Sequence, residues 1–222
     1  MKYLKKFATE AEKAAWQKGS DYAMPNVLLV DGVVTFNAPK FGVYIQHVDG
    51  KLYTTDVWTS GGFSNDDANG VAVITENASF VISKTGFDTR IKWSSDTATL
   101  VDGILTSADA TVAKTDFAGF ANTQLMLATD TSGAGYSCAN FTFPNGAKGY
   151  LPALGEWNIA YQNKAAINSA MNIIGGTMLG SNFYYSSTQS SNYYVWGQNW
   201  ESGSMDTKYK NDTGFVRAFT TI

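Results

Sequence analysis

The sequence predicts a domain of the α+β class, in which strands and helices occupy separate stretches of one chain. The first observation is a series of short β-branched segments between residues 41 and 84, separated by turn residues. The second is a pair of segments with helical spacing, within 106–127 and 153–172. The third is a closing part in which aromatic segments alternate with polar loops. A hydrophobic content of 44% over 222 residues is enough for a packed core.

Residues 1–40 are predicted to form a short helix and a small hairpin that precede the main domain. Thr9 is a good N-cap with Glu12 three residues later, and Gly19 is a suitable C-terminal stop. The segments VLLV and VVTF flank Asp31–Gly32, a pair typical of tight hairpins. The helix would have an apolar face formed by Phe7, Ala11, Ala15 and Trp16. That face could pack on the same chain or attach it to a larger assembly, and the sequence favours neither.

The stretch from Phe41 to residue 84 is predicted to form antiparallel strands. FGVYIQHV and KLYTTDVW flank Asp49–Gly50, which is a strong hairpin signal. GVAVITENASFVISK follows, with a predicted turn at Glu76–Asn77. At the far end of the chain, FVRAFTTI (215–222) is predicted to be a closing strand.

Two helices are predicted between these strands. The first ends the stretch 106–127, and its pattern is carried by Asp116, Phe117, Phe120, Thr123, Gln124 and Leu127. The second runs from Ala153 to about Asn172, and Gly175–Gly176 stops it. Its apolar positions are Trp157, Ala160, Tyr161, Ala165, Ile167 and Met171.

Charge and composition exclude several kinds of partner. The net charge is −3 and no basic run is longer than Lys5–Lys6, so nucleic acid is not expected. No apolar run approaches the ~20 residues of a membrane span, and the N-terminus lacks the apolar part of a signal peptide. One cysteine, Cys138, and one histidine, His47, leave no internal disulfide and no zinc cluster. We therefore expect no metal, no cofactor and no membrane segment.

The stretch 184–212 has the composition of an antibody combining site. It consists mainly of Ser, Tyr, Asn, Gly, Thr and Asp, with two tryptophans between them. Tyrosine and tryptophan offer stiff contact area, while Ser, Asn and Gly supply adaptable hydrogen bonds. A disordered linker rarely carries so many aromatic residues, and an ordinary aromatic β-core is the other alternative. The composition favours a displayed binding surface.

An ordered set of motifs gives the chain a family resemblance over roughly residues 41–222. The set comprises GYLPALGEWNIAYQNKAAIN (149–168), FYYSSTQ (183–189), Trp196, Gly203 and FVRAF (215–219), preceded by DFAGFANTQLMLA (116–128). In this order they resemble the C-type lectin fold, and more closely the variable proteins of diversity-generating retroelements and their formylglycine-generating-enzyme-like relatives. MKYLKKFATEAE at the start also resembles structural proteins from phages of gut Bacteroidetes.

The resemblance implies a C-type-lectin-like fold with two helices, short antiparallel strands and long loops, and a variable region at 184–212. It implies a non-enzymatic receptor-binding protein of a phage tail, carried by residues 1–40 and directed at a bacterial surface protein or glycan. Adenine-directed mutagenesis of Asn codons would reach the residue types that fill this region. Proteins of this kind can be trimers, which would suit a fibre tip. The expected location is the virion or the cell surface, and a bacterial adhesin or pilus-tip module is the alternative.

Ten residues are predicted to contact the ligand because they lie between or beside the framework motifs. They are Ser190, Asn192, Tyr193, Tyr194, Gly197, Asn199, Ser202, Ser204, Asp206 and Tyr209. Gly203 differs from them, since it matches a turn that needs a positive φ. Trp196 and Trp200 could anchor a ligand, although the framework match favours a core position for Trp196.

An enzyme of the same fold is the less favoured interpretation. It would need paired carboxylates, and the candidates are Asp66, Asp67, Glu156, Glu201 and Asp206. Glu156 more readily complements a helix dipole. Cys138 and His47 lack the signature of a nucleophile and its base, and no calcium-lectin sugar motif is present. Arg217 has no evident acidic partner, so a structural ion pair and anion binding are both open.

Overall fold

The computed structural model describes residues 4–6, 27–30, 33–36, 41–87, 89–96 and 98–222. Three strands precede the main body: β1 (Leu4–Lys6), β2 (Val27–Val30) and β3 (Val33–Phe36). They form one antiparallel sheet in the order β1-β3-β2. Pairing of Val30 with Val33 confirms the predicted hairpin around residues 31–32. The predicted helix between Thr9 and Gly19 lies outside the described residues, and the boundary at residue 40 stays a prediction.

A five-stranded antiparallel sheet forms the centre of the fold. Its strands are β4 (Gly42–His47), β5 (Leu52–Tyr53), β6 (Ala68–Ile74), β7 (Ser79–Ser83) and β13 (Phe219–Thr220), in the order β13-β7-β6-β4-β5. The hairpins at Asp49–Gly50 and Glu76–Asn77 are confirmed. The closing strand is shorter than predicted, because only Phe219 and Thr220 pair with β7.

The prediction that KLYTTDVW forms a strand is wrong for the second half of this segment. Only Leu52 and Tyr53 pair with β4, and a helix, α1 (Thr55–Ser60), follows at once. The Thr54 hydroxyl accepts a hydrogen bond from the backbone N–H of Val57, so a side-chain cap starts the helix where the β-branched composition suggested a strand.

Five further helices lie between the central sheet and the C-terminal strands. They are α2 (Ala110–Ala113), α3 (Gly119–Thr129), α4 (Gly133–Asn140), α5 (Leu154–Gln162) and α6 (Lys164–Ile173). The first predicted helix is confirmed as α3, but Asp116 and Phe117 precede it and Phe120 is exposed. The second is two helices that meet at Asn163, and within it Ala165 is exposed rather than apolar core. The predicted end of the second helix at Gly175–Gly176 is confirmed, since Gly175 has φ of 65° and the Gly176 N–H donates a hydrogen bond to the Met171 carbonyl.

Two smaller sheets complete the described chain. One contains β9 (Phe183–Gln189), β10 (Tyr194–Asn199) and β11 (Met205–Tyr209), with β10 in the middle. The other joins β8 (Ile91–Lys92) to β12 (Thr213–Gly214). Antiparallel sheets with helices between them confirm the α+β class, whereas the C-type-lectin fold stays a prediction.

The hydrophobic core lies on both faces of the central sheet. Successive side chains of a strand point to opposite faces, and β6 is buried along its whole length. Val71 and Val73 belong to a cluster that contains Trp157 and Trp200. Ala72 and Ile74, which alternate with them, belong to a second cluster around Trp93. Strand β9 contributes Tyr184 to the first cluster and Tyr185 to the second, and β10 contributes Val195 to the second. None of the helices in the described part of the chain is long and apolar enough to cross a membrane.

Candidate ligand-binding site

The β10–β11 hairpin carries most of the residues predicted to contact a ligand. Its inner strand, β10, is buried at Val195, Trp196 and Gln198, whereas β11 is largely accessible. The buried strand holds the hairpin on the core, and the outer strand and the two ends face solvent. The hairpin is therefore a rigid support for exposed side chains, which is how binding residues are commonly displayed.

One end of the hairpin displays a surface of tyrosines. Tyr193 and Tyr209 are 54% and 50% exposed. Tyr194 pairs with Tyr209 across the strands, and their ring centres are 4.3 Å apart. A hydrogen bond with Tyr209 raises the pKa of Tyr194. Ser190 and the exposed Asn192 lie in the adjoining turn, where the Ser190 N–H donates to the Tyr194 carbonyl. We call Ser190, Asn192, Tyr193, Tyr194 and Tyr209 the tyrosine surface.

The other end of the hairpin holds a polar turn. The Asn199 side-chain oxygen accepts hydrogen bonds from the backbone N–H groups of Glu201 and Ser202, at 3.0 and 3.1 Å. The hydroxyls of Ser202 and Ser204 are 3.0 Å apart, and Ser204 donates to Asp206 at 2.6 Å. Asn199, Ser202, Ser204 and Asp206 thus form one hydrogen-bonded group, the serine turn.

Nine of the ten predicted residues therefore fall into two groups rather than one patch. Tyr194 and Asn199 stand at the two ends of β10 with four residues between them, a span of roughly 16 Å at 3.3 Å per residue. On β11, Asp206 and Tyr209 are three residues apart and point to opposite faces of the sheet. A single small ligand could contact one group but not both. A protein or an extended glycan could contact the two together.

Gly197 has no place in either group, which corrects its prediction as a contact residue. It is buried in the middle of β10. A Cβ atom there would lie 2.4 Å from the Tyr184 carbonyl oxygen and 2.5 Å from the Phe183 ring. Since any side chain would collide with β9, this position serves the packing of the two strands.

The tryptophans weighed as ligand anchors are core residues. Trp200 is wholly buried in the cluster around Trp157. Trp196 packs on Ala113 and Leu154, and its indole N–H donates to the Ser107 carbonyl at 2.8 Å. The preference for a core position of Trp196 is confirmed.

Glu156 is a buried carboxylate at the start of α5. Its side chain accepts hydrogen bonds from the Ala153 N–H at 2.7 Å and from the Tyr150 hydroxyl at 2.9 Å. Burial raises the pKa of Glu156 to about 7, and the nearby Asp116 adds to the shift. Asp116 itself is bound by Asn122, Thr188 and the backbone of Ala118. Each carboxylate thus supports local structure, and the raised pKa has a structural cause.

The remaining acidic candidates are surface residues. Asp66, Asp67, Glu201 and Asp206 are exposed. Neither these four residues nor Glu156 lines the cavity behind β11 or the cavity that adjoins it. In the described part of the chain, no three His, Cys, Asp or Glu side chains are grouped closely enough to hold a metal ion.

Cys138 and His47 occupy separate environments. Cys138 is wholly buried in the cluster around Trp93, and burial strongly raises the pKa of its thiol. His47 lies at the end of β4, with Nδ1 2.9 Å from an oxygen of Asp49, and its ring contacts Trp58 and Phe63. A thiol held in the protonated form is a poor nucleophile.

Arg217 is buried without an ion pair to any described carboxylate. Its guanidinium donates to the backbone carbonyls of Ser83, at 3.3 Å, and Thr177. The Nε atom has no hydrogen-bond partner among the described residues. Of the two open alternatives, the structural ion pair is not found among the described residues, where backbone carbonyls take the place of a carboxylate.

Comparison with known proteins finds a similar fold among the solved structures. No protein family matches the chain, and no curated protein matches it. The chain is similar to the crystal structure of a fimbrial protein from Bacteroides ovatus ATCC 8483, with a TM-score of 0.57 and 14% sequence identity. The similarity covers 88% of this chain and 52% of that protein, so the chain spans about half of its length. At this identity the comparison supports a shared fold alone.

Several residues beside these surfaces were not among the predicted contacts. Arg90, Phe183, Lys208 and Phe215 line a cavity behind β11. They come from four distant parts of the chain, and no local motif unites them. The alternation of β11 was the available signal, since it places Lys208 and Tyr209 on opposite faces.

Proposed function

We propose that this chain is a non-enzymatic binding module of a bacterial surface fibre, of the fimbrial adhesin type. The observation that carries the proposal is the fold similarity to a fimbrial protein over 88% of the chain. The display of tyrosines on a rigid hairpin supports it, because aromatic residues are enriched in binding surfaces. The chain matches about half of that fimbrial protein, so the proposal assigns ligand binding to this chain and leaves out polymerisation and anchoring.

Immunogold labelling of the bacterium that encodes the chain tests this proposal. We expect label on filaments at the cell surface, which disappears in a strain lacking the gene. Label on phage particles, with none on the cells, would overturn the fimbrial assignment and support the phage tail. Attachment through residues 1–40 and trimer formation remain predictions, because neither has support beyond the sequence.

Ligand binding is assigned to the tyrosine surface, and a glycan array tests this assignment while the ligand is still unidentified. Biotinylated full-length chain on streptavidin would be applied to an array of bacterial and mucosal glycans, since multivalent display strengthens weak binding. The test variant replaces Tyr193 and Tyr209 by alanine. Truncating an aromatic hot spot costs about 2 kcal/mol or more, so signals should fall by at least about 30-fold.

Tyr136→Ala is the matched control. Tyr136 lies on α4 and is 41% exposed, comparable to the two test tyrosines, but is not part of the hairpin. The control should bind like the unmodified chain. Equal signals from the double variant and the control on every glycan bound would overturn the assignment of the tyrosine surface.

We also propose that diversification, if the gene undergoes it, changes the exposed positions of the hairpin. Asn192, Tyr193, Ser204 and Asp206 are exposed, so their side chains can change at little cost in stability. Sequencing the 3′ end of the gene across one population should find adenine-linked differences there and none at Gly197. An invariant tract would overturn diversification and leave the adhesin proposal standing.

A further inference from the structure

One cavity lies behind β11, on the side of the sheet that Tyr209 does not face, and a second cavity adjoins it beside Tyr184 and Arg217. Each has a volume of about 170 Å³, and both are lined by Asn182 and Phe215. Pockets for drug-sized ligands measure roughly 300–1,000 Å³. Each cavity therefore suits a smaller group, and the two together suit a ligand with the dimensions of one or two sugar rings.

Basic side chains dominate the charge of these cavities. Arg90 and Lys208 line the first cavity, and Arg217 lines the second. No described residue of either lining carries a carboxylate. The linings thus hold positive charge that the described part of the chain does not neutralise.

Aromatic rings hold two of the three cations in place. The Arg90 guanidinium lies 4.9 Å from the centre of the Phe215 ring, and the Lys208 ammonium lies 4.8 Å from that of Phe183. A cation–π contact orients a cation without cancelling its charge. Both groups therefore remain able to pair with an anion, and part of the entropic cost of ordering them is already met by the fold.

Arg217 supplies the buried part of the site. Only 2% of its surface is exposed, and its Nε atom has no partner among the described residues. Burial lowers the pKa of Arg217 to about 10, which reflects the cost of keeping its charge out of water. A buried charge of this kind is normally compensated by an opposite charge. An anion in the second cavity would provide that compensation.

We propose that the two cavities bind an anionic sugar unit, carboxylated or sulfated. The acidic group would pair with Arg217 and Arg90, because guanidinium groups recognise planar and tetrahedral oxyanions through paired N–H donors. The polar side chains of Ser181, Asn182 and Thr213 line the cavities and offer hydrogen bonds to sugar hydroxyls. This site lies apart from the tyrosine surface and does not depend on it.

Titrations of the full-length chain at constant ionic strength test the class of ligand. The probes are sodium D-glucuronate, D-glucose 6-sulfate, D-glucose and inorganic sulfate, followed by calorimetry. At least one anionic sugar should bind about tenfold or more tightly than glucose, as expected for a charged hydrogen bond. Preference between glucuronate and the sulfated sugar would identify the acidic group. If glucose and both anionic sugars bind with equal affinity, the proposal of an anion-binding site is overturned. If inorganic sulfate binds as tightly as either anionic sugar, the proposal that the site recognises the sugar part is overturned.

Variants of the exposed cations separate a built site from general attraction of anions. Arg90→Gln and Lys208→Gln should each weaken binding of the preferred sugar by about tenfold. Lys92→Gln is the control, because Lys92 lies two residues from Arg90 and donates to Asn211 at 2.8 Å outside both linings. It makes the same change in net charge and should alter affinity by less than about twofold.

An equal loss of affinity in the Lys92→Gln control and in the Arg90→Gln and Lys208→Gln variants would overturn the proposed site. The Tyr193→Ala, Tyr209→Ala double variant should keep its affinity for the anionic sugar. Loss of glycan-array binding with unchanged glucuronate binding would therefore concern the tyrosine surface alone, and the two proposals can fail separately.

Discussion

Glu156 is a single residue whose protonation couples to folding. Burial raises its pKa from 4.5 to about 7. Between these values the folded chain retains a proton that the unfolded chain has lost, so the contribution of Glu156 to the free energy of unfolding falls as the pH rises through this window. At 1.36 kcal/mol for each pKa unit, the whole change is on the order of 3 kcal/mol.

Replacing Glu156 by glutamine should remove this slope. The amide oxygen can still accept from the Ala153 N–H, and the amide nitrogen can donate to the Tyr150 hydroxyl oxygen. Urea unfolding at pH 5 and pH 7.5 measures the effect. The unmodified chain should lose stability relative to E156Q as the pH rises. E201Q, which changes an exposed carboxylate, should follow the unmodified chain, and parallel behaviour of E156Q would contradict the explanation.

At the scale of the structural element, the β10–β11 hairpin depends on Gly203. This residue has φ of 81°, and a Cβ atom there would lie 2.4 Å from the Tyr161 ring. Gly203→Ala combines left-handed backbone strain of about 1–2 kcal/mol with overpacking of about 1–3 kcal/mol. We expect the free energy of unfolding to fall by roughly 2–5 kcal/mol in urea denaturation.

Gly50→Ala separates the two effects. Gly50 has φ of 86° in the β4–β5 hairpin, but nothing lies within 4 Å of the added Cβ atom. Only backbone strain should remain, with a loss of about 1–2 kcal/mol. Equal losses in the two variants would mean that the Tyr161 ring moves aside at no cost.

Local patterns predicted the elements whose structure depends on nearby residues. The hairpins at Asp49–Gly50 and Glu76–Asn77 and the helix α3 follow directly from turn residues and spacing. The Thr54 cap and the break at Asn163 were missed, because each depends on hydrogen bonds that compete with an equally good periodic pattern.

The candidate site also has some features that the local sequence predicts and others that depend on distant contacts. Exposure of Tyr193 and Tyr209 was predictable from composition, since interleaved Tyr and Ser favour a displayed surface. The cavity that joins Arg90 to Phe215 was not predictable, because it unites residues 125 positions apart through the pairing of β8 with β12. Burial of Gly197 likewise depends on the register between β9 and β10.

At the scale of the whole molecule, the central five-stranded sheet carries a hydrophobic core on each face. Phe219 of β13 stacks on Phe80 in the first core, with ring centres 4.6 Å apart. Val216 and Ala218, a few residues earlier, belong to the second core. The C-terminal segment thus ties the two cores together, with Arg217 between them. Changes to this segment should therefore disturb the fold and the basic cavities at once.

The N-terminal segment should contribute little to this arrangement. Among the described residues, strands β1 to β3 pair only with one another, and the strand pairings of β4 to β13 all fall within residues 42–220. We expect a fragment of residues 41–222 to unfold cooperatively in calorimetry, with a Tm within about 4 °C of the full chain, which is a difference of about 1 kcal/mol at this size.

A fragment of residues 1–214 is the matching control, because it removes the buried Phe219 and the link between the cores. It should show no cooperative transition. If the fragment 41–222 instead loses its transition, residues 1–40 are part of the folding unit. The attachment role predicted for that segment would then have to be abandoned, since a segment required for folding cannot serve as a separate carrier-binding appendage.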